Sequence, residues 1–170
     1  MAKKKTSKIE HKDPIVAGIS KKYGNIIESG TKVLESLENY DTVSVSPVLD
    51  LALGGGLREG QCVVMTGDPK TGKTTTALYA AAKAQAKGKK VYYLNTEGRL
   101  TKENFRGIKG LNIEEIQIVQ ATDDTPIVSA ETYLNVLERL IKEEPDLFVI
   151  VDSTSNMVPQ DEIDGEIRTG

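Results

Sequence analysis

Residues 66–76 read TGDPKTGKTTT, in which Gly67, Asp68, Pro69, Lys70, Thr71, Gly72, Lys73 and Thr74 have the spacing of a loop that cradles phosphate. Each residue type has a task in that chemistry. Gly67 and Gly72 permit backbone torsions that aim successive N–H groups at phosphate oxygens. A helix beginning at Lys73 adds its partial positive charge, with Thr75 also in its first turn. Lys73 is placed to pair with the β and γ phosphates, and the Thr74 hydroxyl to ligate Mg2+. A glycine-rich turn with a chance lysine is the competing explanation. It would need neither the apolar run before the loop nor the helix formers after it, and both are present.

Holding phosphate is not hydrolysing it, which needs a further carboxylate for the metal and a group that positions water. Asp152 ends the apolar run LFVIVD, at the edge where a parallel sheet presents its strand ends to a ligand. It is expected to hold Mg2+ through water, although a strand-end turn also accommodates an aspartate. Glu97, in YYLNTEG, ends another apolar run. A carboxylate there can orient and deprotonate water, and a helix-capping or surface glutamate fits the pattern as well.

These side chains need a scaffold, and the pattern supplies one. QCVVMT (61–66), KVYYLN (90–95), IQIVQ (116–120) and LFVIVD (147–152) read as buried strands, with Cys62 a small core residue. Between them, TTTALYAAAKAQAKG is rich in helix formers and ends at Gly88. Thr125–Pro126 is a helix start, and Ile127, Ala130, Leu134, Leu137 and Ile141 trace one apolar face. Strands this apolar, alternating with helices, predict an α/β fold with a mostly parallel sheet covered on both faces. Residues 14–42 form a helical lead, in which Ile15, Ile19 and Tyr23 share a face, and residues 1–13 a basic flexible tail. The core runs over 43–170.

The 170 residues carry a net charge of −3, which excludes a globally basic nucleic-acid binder but not local contacts. No apolar run spans a bilayer and MAKKKTSKIEHK has no signal-peptide core, so the cytoplasm is the default. The single cysteine excludes an internal disulfide.

The same stretches carry a family resemblance. GDPKTGKTTTAL, YYLNTEGRL, LDLALGGGLREG and VDSTSNMVPQDEIDGEI together resemble the RecA family of homologous-recombination ATPases, bacterial and phage-encoded. The resemblance implies a RecA-like P-loop NTPase core that uses ATP and Mg2+, with Glu97 as catalytic base. It also implies a homo-oligomeric filament on single-stranded DNA that exchanges strands with homologous duplex DNA, in the cytoplasm (the host's, for a phage protein). Gly165, Glu166, Ile167 and Arg168 fall at the opening of the first DNA-binding loop, with Arg168 either a phosphate contact or a free side chain. The stripe Ile15, Ile19, Tyr23 falls where the family docks on a neighbouring protomer.

Departures are visible too. The family's adenine-stacking tyrosine is Asn104 here, with Phe105 beside it as a substitute, and Lys70 stands where an acidic side chain is common. Family members also continue for roughly as long again, with a further strand in the middle of the sheet. An unpaired buried edge forfeits backbone hydrogen bonds worth about 1–3 kcal/mol each. The sequence therefore reads as a core truncated within the first DNA loop, or one completed by another chain. Two other functions fit the motifs: a RecA-fold helicase-type motor, and a non-catalytic nucleotide-binding module that caps or regulates filaments.

Overall fold

The computed structural model describes residues 13–24, 26–38 and 40–165. The expected basic tail over 1–13 lies outside them apart from Asp13. The chain divides into two units, Met1–Asp41 and Thr42–Gly170.

In the first unit, the Asp13 carboxylate caps α1 (Pro14–Tyr23) by accepting the Ile15 N–H at 2.8 Å. Pro14 at the first helical position gives up an N–H that would lack a partner anyway. Ile15 and Tyr23 are 73% and 60% exposed, so the unit does not bury the stripe they form with Ile19. Helix α2 (Gly30–Glu38) follows.

The second unit opens with β1 (Thr42–Val43), α3 (Pro47–Ala52) and β2 (Leu57–Arg58), the two strands pairing antiparallel. The Asp50 carboxylate ties this corner by accepting from the Ser44 hydroxyl at 2.6 Å and the Val45 N–H at 2.8 Å. These bonds, Ser44 first, hold its pKa below the ordinary carboxylate value. Helix α4 (Lys73–Ala86) comes next, with Ala77, Leu78, Ala80, Ala81, Ala82 and Ala84 buried. Small side chains let a helix lie close to a sheet, and helix propensity favours them. Beyond Lys87, Gly88 (φ 80°) closes the helix, with the Lys89 N–H on the Ala84 carbonyl and the Gly88 N–H on that of Gln85.

The sheet holds β3 (Lys90–Asn95), β4 (Ile116–Val119) and β5 (Leu147–Asp152) in the order β4-β3-β5, all parallel. Tyr93 pairs with Ile150, and Asn95 with Asp152. Side chains alternate along β3. Tyr93 joins the buried cluster of α4 alanines, while Tyr92 shares a small cavity with Val136 and Leu140 of α6 (Ala130–Glu143). Helices thus flank both faces. Two short helices complete the unit: α5 (Lys102–Phe105) and α7 (Gln160–Asp164). Among the described residues no helix is long and apolar enough to cross a membrane.

Four expectations are corrected. Residues 61–66 are not a strand: the segment makes no ladder, and Val63, Val64 and Met65 are 46%, 79% and 44% exposed. Cys62 is exposed with them rather than in the core. An apolar run becomes a buried strand only when the sheet supplies neighbours and covers, and β5 is an edge of the described sheet. Helix α6 begins after Ser129, whose hydroxyl accepts the Thr132 N–H at 3.3 Å. Thr125 is occupied instead in a turn with Thr122. The apolar face of α6 is also rotated. Tyr133 is buried and Val136, Leu137 and Leu140 half-buried, while Leu134 and Ile141 are exposed. The Tyr133 hydroxyl lies 3.4 Å from the Asn95 carbonyl on this packed face. One residue of offset turns a helix by about 100°.

Candidate functional site

Gly67 (φ 153°) and Gly72 (φ 93°) take positive torsions that side-chain-bearing residues rarely adopt. Together they fold the loop back on itself, with Lys70 (φ 64°) between them. Asp68, Pro69, Lys70 and Thr71 are exposed, and the Thr71 hydroxyl donates to the Asp68 carbonyl at 2.8 Å. The Lys73 ammonium curls over the loop and donates to the carbonyls of Gly67 (2.7 Å) and Asp68 (2.8 Å). Gly72 is the N-cap of α4 and offers no side-chain acceptor, so none caps the helix's first N–H groups. Thr75 is exposed in this first turn.

The helix start meets the sheet at Asp152. Oδ2 of Asp152 accepts the Thr74 hydroxyl at 2.7 Å and the Tyr93 hydroxyl at 2.6 Å. Burial, together with the Asp152 carboxylate beside it, pushes the Tyr93 phenol well above its ordinary pKa. The main chain is pinned as well: the Thr96 and Glu97 N–H groups both donate to the Asp152 carbonyl at 3.1 Å. The Thr96 hydroxyl donates to the Ser153 carbonyl at 2.6 Å. A hydroxyl and a carboxylate in contact are hard oxygen donors of the kind Mg2+ takes, with its remaining positions left to water and phosphate. Thr74 and Asp152 therefore fit that ion, and Lys73 fits the phosphates.

Glu97 stands two residues beyond β3, about two-thirds buried, with one carboxylate oxygen 3.1 Å from Arg99. Its turn is set by Asn95, a buried residue that accepts the Gly98 N–H at 3.1 Å and donates to Gln120 at 2.7 Å. Asn104 is committed to a capping box, its side chain accepting from the Thr101 N–H at 2.7 Å. Phe105 packs partly buried against the core and lines a cavity of about 560 Å³ with Leu100, Ile113 and Ile118. Past β5, the Val158 carbonyl accepts the Ala130 N–H at 2.8 Å and Glu131 accepts the Gln160 N–H at 2.9 Å, which anchors this segment to α6. Gly165 follows α7; Glu166, Ile167 and Arg168 lie outside the described residues.

Of the residues singled out in the sequence, the structure brings Thr74 to Asp152 and sets Glu97 beside the same strand end. Sequence reasoning missed the Tyr93 hydroxyl and the turn-setting Asn95. Aligning β3 and β5 by their ends would have found Tyr93. It puts Asn95 opposite Asp152 and Tyr93 two residues away on the same face.

The family model for the RecA N-terminal domain matches residues 12–170. The chain belongs to the RecA family. Protein RecA of Rippkaea orientalis is 32% identical over 144 residues, 85% of this chain and 39% of that protein. Protein RecA of Fusobacterium nucleatum is 32% identical over 155 residues, 89% of this chain and 39% of that protein. Protein RecA of Mycobacterium ulcerans is also 32% identical over 155 residues, covering 42% of its length. The chain thus spans about two-fifths of the length of these curated RecA relatives.

Proposed function

We propose that these residues form the ATP site of a DNA-dependent ATPase of homologous recombination and repair. The observation that carries the proposal is the junction at Asp152, the end of β5, where hydroxyls from the first turn of α4 and from the central strand β3 meet one carboxylate oxygen. In use, the Lys73 ammonium exchanges the carbonyls of Gly67 and Asp68 for phosphate oxygens, and the loop and helix N–H groups take the remaining charge. Thr74 and Asp152 hold Mg2+, which when bound with ATP neutralises charge on the phosphates. Glu97 releases Arg99 and orients the attacking water.

RecA family membership supports the wider setting: a filament on single-stranded DNA, in the cytoplasm, that exchanges strands with homologous duplex. The α1 stripe Ile15, Ile19, Tyr23 serves as the contact to a neighbouring protomer, and the segment from Gly165 to Arg168 leads to the DNA. Purified protein carrying these residues tests the proposal. Single-stranded DNA is expected to stimulate its ATP hydrolysis, and Glu97→Gln to keep ATP binding while stopping turnover. Turnover indifferent to DNA, with no strand exchange, would overturn the recombination role. Normal turnover in Glu97→Gln would overturn the assignment of that residue.

A further inference from the structure

Tyr93 lies mid-way along the central strand with its residue 1% exposed, yet it carries a hydroxyl. Burying an unpaired hydroxyl costs free energy, and a phenylalanine would fill the same space without one. The hydroxyl is not unpaired: it donates to Asp152 Oδ2 at 2.6 Å. Strand register explains the reach, because Tyr93 is opposite Ile150 and Asp152 is two residues further along the same face. The Thr74 hydroxyl meets the same oxygen at 2.7 Å.

The two donors differ in freedom. Thr74 is half-buried in the first turn of α4, beside the loop, where a bound metal would compete for its oxygen. Tyr93 is locked by the buried cluster of α4 alanines around it. With Oδ2 held by a fixed donor, rotation of the carboxylate is restrained, which would orient it toward a metal.

Resting on the ATP-site proposal, we infer that Tyr93 is a positioning residue that presents the Asp152 carboxylate to the metal. The test uses the whole chain, the fluorescent nucleotide mant-ATP and a Mg2+ titration, with Tyr93→Phe, Asp152→Asn and the double variant. Tyr93→Phe keeps the ring, and a near-parental melting temperature checks the core. The expected result is unchanged metal-free affinity, with the half-saturating Mg2+ concentration raised about three- to tenfold. In the Asp152→Asn background the same change should have no further effect, because the acceptor is already lost. An unshifted Mg2+ midpoint in Tyr93→Phe would overturn the inference and leave the ATP site standing. So would a shift that persists undiminished in the double variant, or a Tyr93→Phe chain that no longer folds. A parent chain that binds no mant-ATP at all would overturn the ATP site itself, and the inference with it.

Discussion

Two apolar runs lead into the site, and they behave differently. Cys62–Met65 precedes the phosphate loop and Val91–Leu94 precedes Glu97, and in sequence both look like buried strands. Val91, Tyr93 and Leu94 are at most 1% exposed, in a strand paired on both sides. Val64 is 79% exposed and its segment pairs with nothing in the sheet. The difference lies in the neighbours and not in the residues. A central strand gains ladder bonds on two edges and cover on two faces, and the other run has neither. The loop nonetheless keeps its shape through local means: the torsions at Gly67 and Gly72, the Lys73 bonds to its carbonyls, and the start of α4.

If the loop is set locally, its chemistry depends on Lys73 and not on the run before it. Lys73→Ala is expected to weaken mant-ATP binding at least about a hundredfold, since it removes the charge-assisted contact to the phosphates. Val64→Asp, in the uncovered run, should leave binding within about twofold in the same fluorescence titration. A large loss in Val64→Asp would show that the run is buried when nucleotide binds. Next in size are the stability effects. By urea unfolding, Leu94→Ala should cost about 2–5 kcal/mol, as a fully buried leucine does, and Val64→Ala less than about 0.5 kcal/mol. Equal costs would erase the distinction between the two runs.

Thiol labelling sharpens it further. Cys62 should react with an aromatic disulfide reagent in the native protein within about tenfold of the unfolded chain, since it is exposed and unpaired. Protection by several hundredfold would put the run back into a sheet. The smallest expected effect concerns Asp50, which ties the β1–α3 corner upstream of the uncovered run. Its folded pKa is lowered, so its stabilisation is complete above the unfolded carboxylate value and is lost as the pH falls through the folded one. Asp50→Asn should therefore be less stable than the parent at neutral pH and show a shallower loss of stability on acidification. An unchanged acid slope would mean that the Ser44 and Val45 bonds contribute nothing.

Much of the frame was legible in the sequence. The strands over 90–95 and 147–152 and the helix stop at Gly88 were visible because apolar runs and glycine punctuation are local signals. The loop residues and Asp152 were legible as motif spacing. What the sequence did not show was long-range. The run over 61–66 carried a strong strand signal, but the cover it requires is a property of the assembled sheet. The face of α6 was read one residue out of register, because which side chains are covered depends on contacts with a sheet distant in sequence, such as that of Tyr133 with Asn95, 38 residues earlier. The bond from the Tyr93 hydroxyl is long-range too, its partner 59 residues away, and only the register of β3 against β5 brings the two together.

The most direct measurement is of backbone amide NMR shifts of the intact chain on addition of ATP with Mg2+. An ATP site at this loop predicts the largest shifts at Gly67 to Thr75, with smaller ones at Thr96, Glu97 and Asp152, all lost in Lys73→Ala. Shifts confined to other segments, or none at saturating nucleotide, would contradict it.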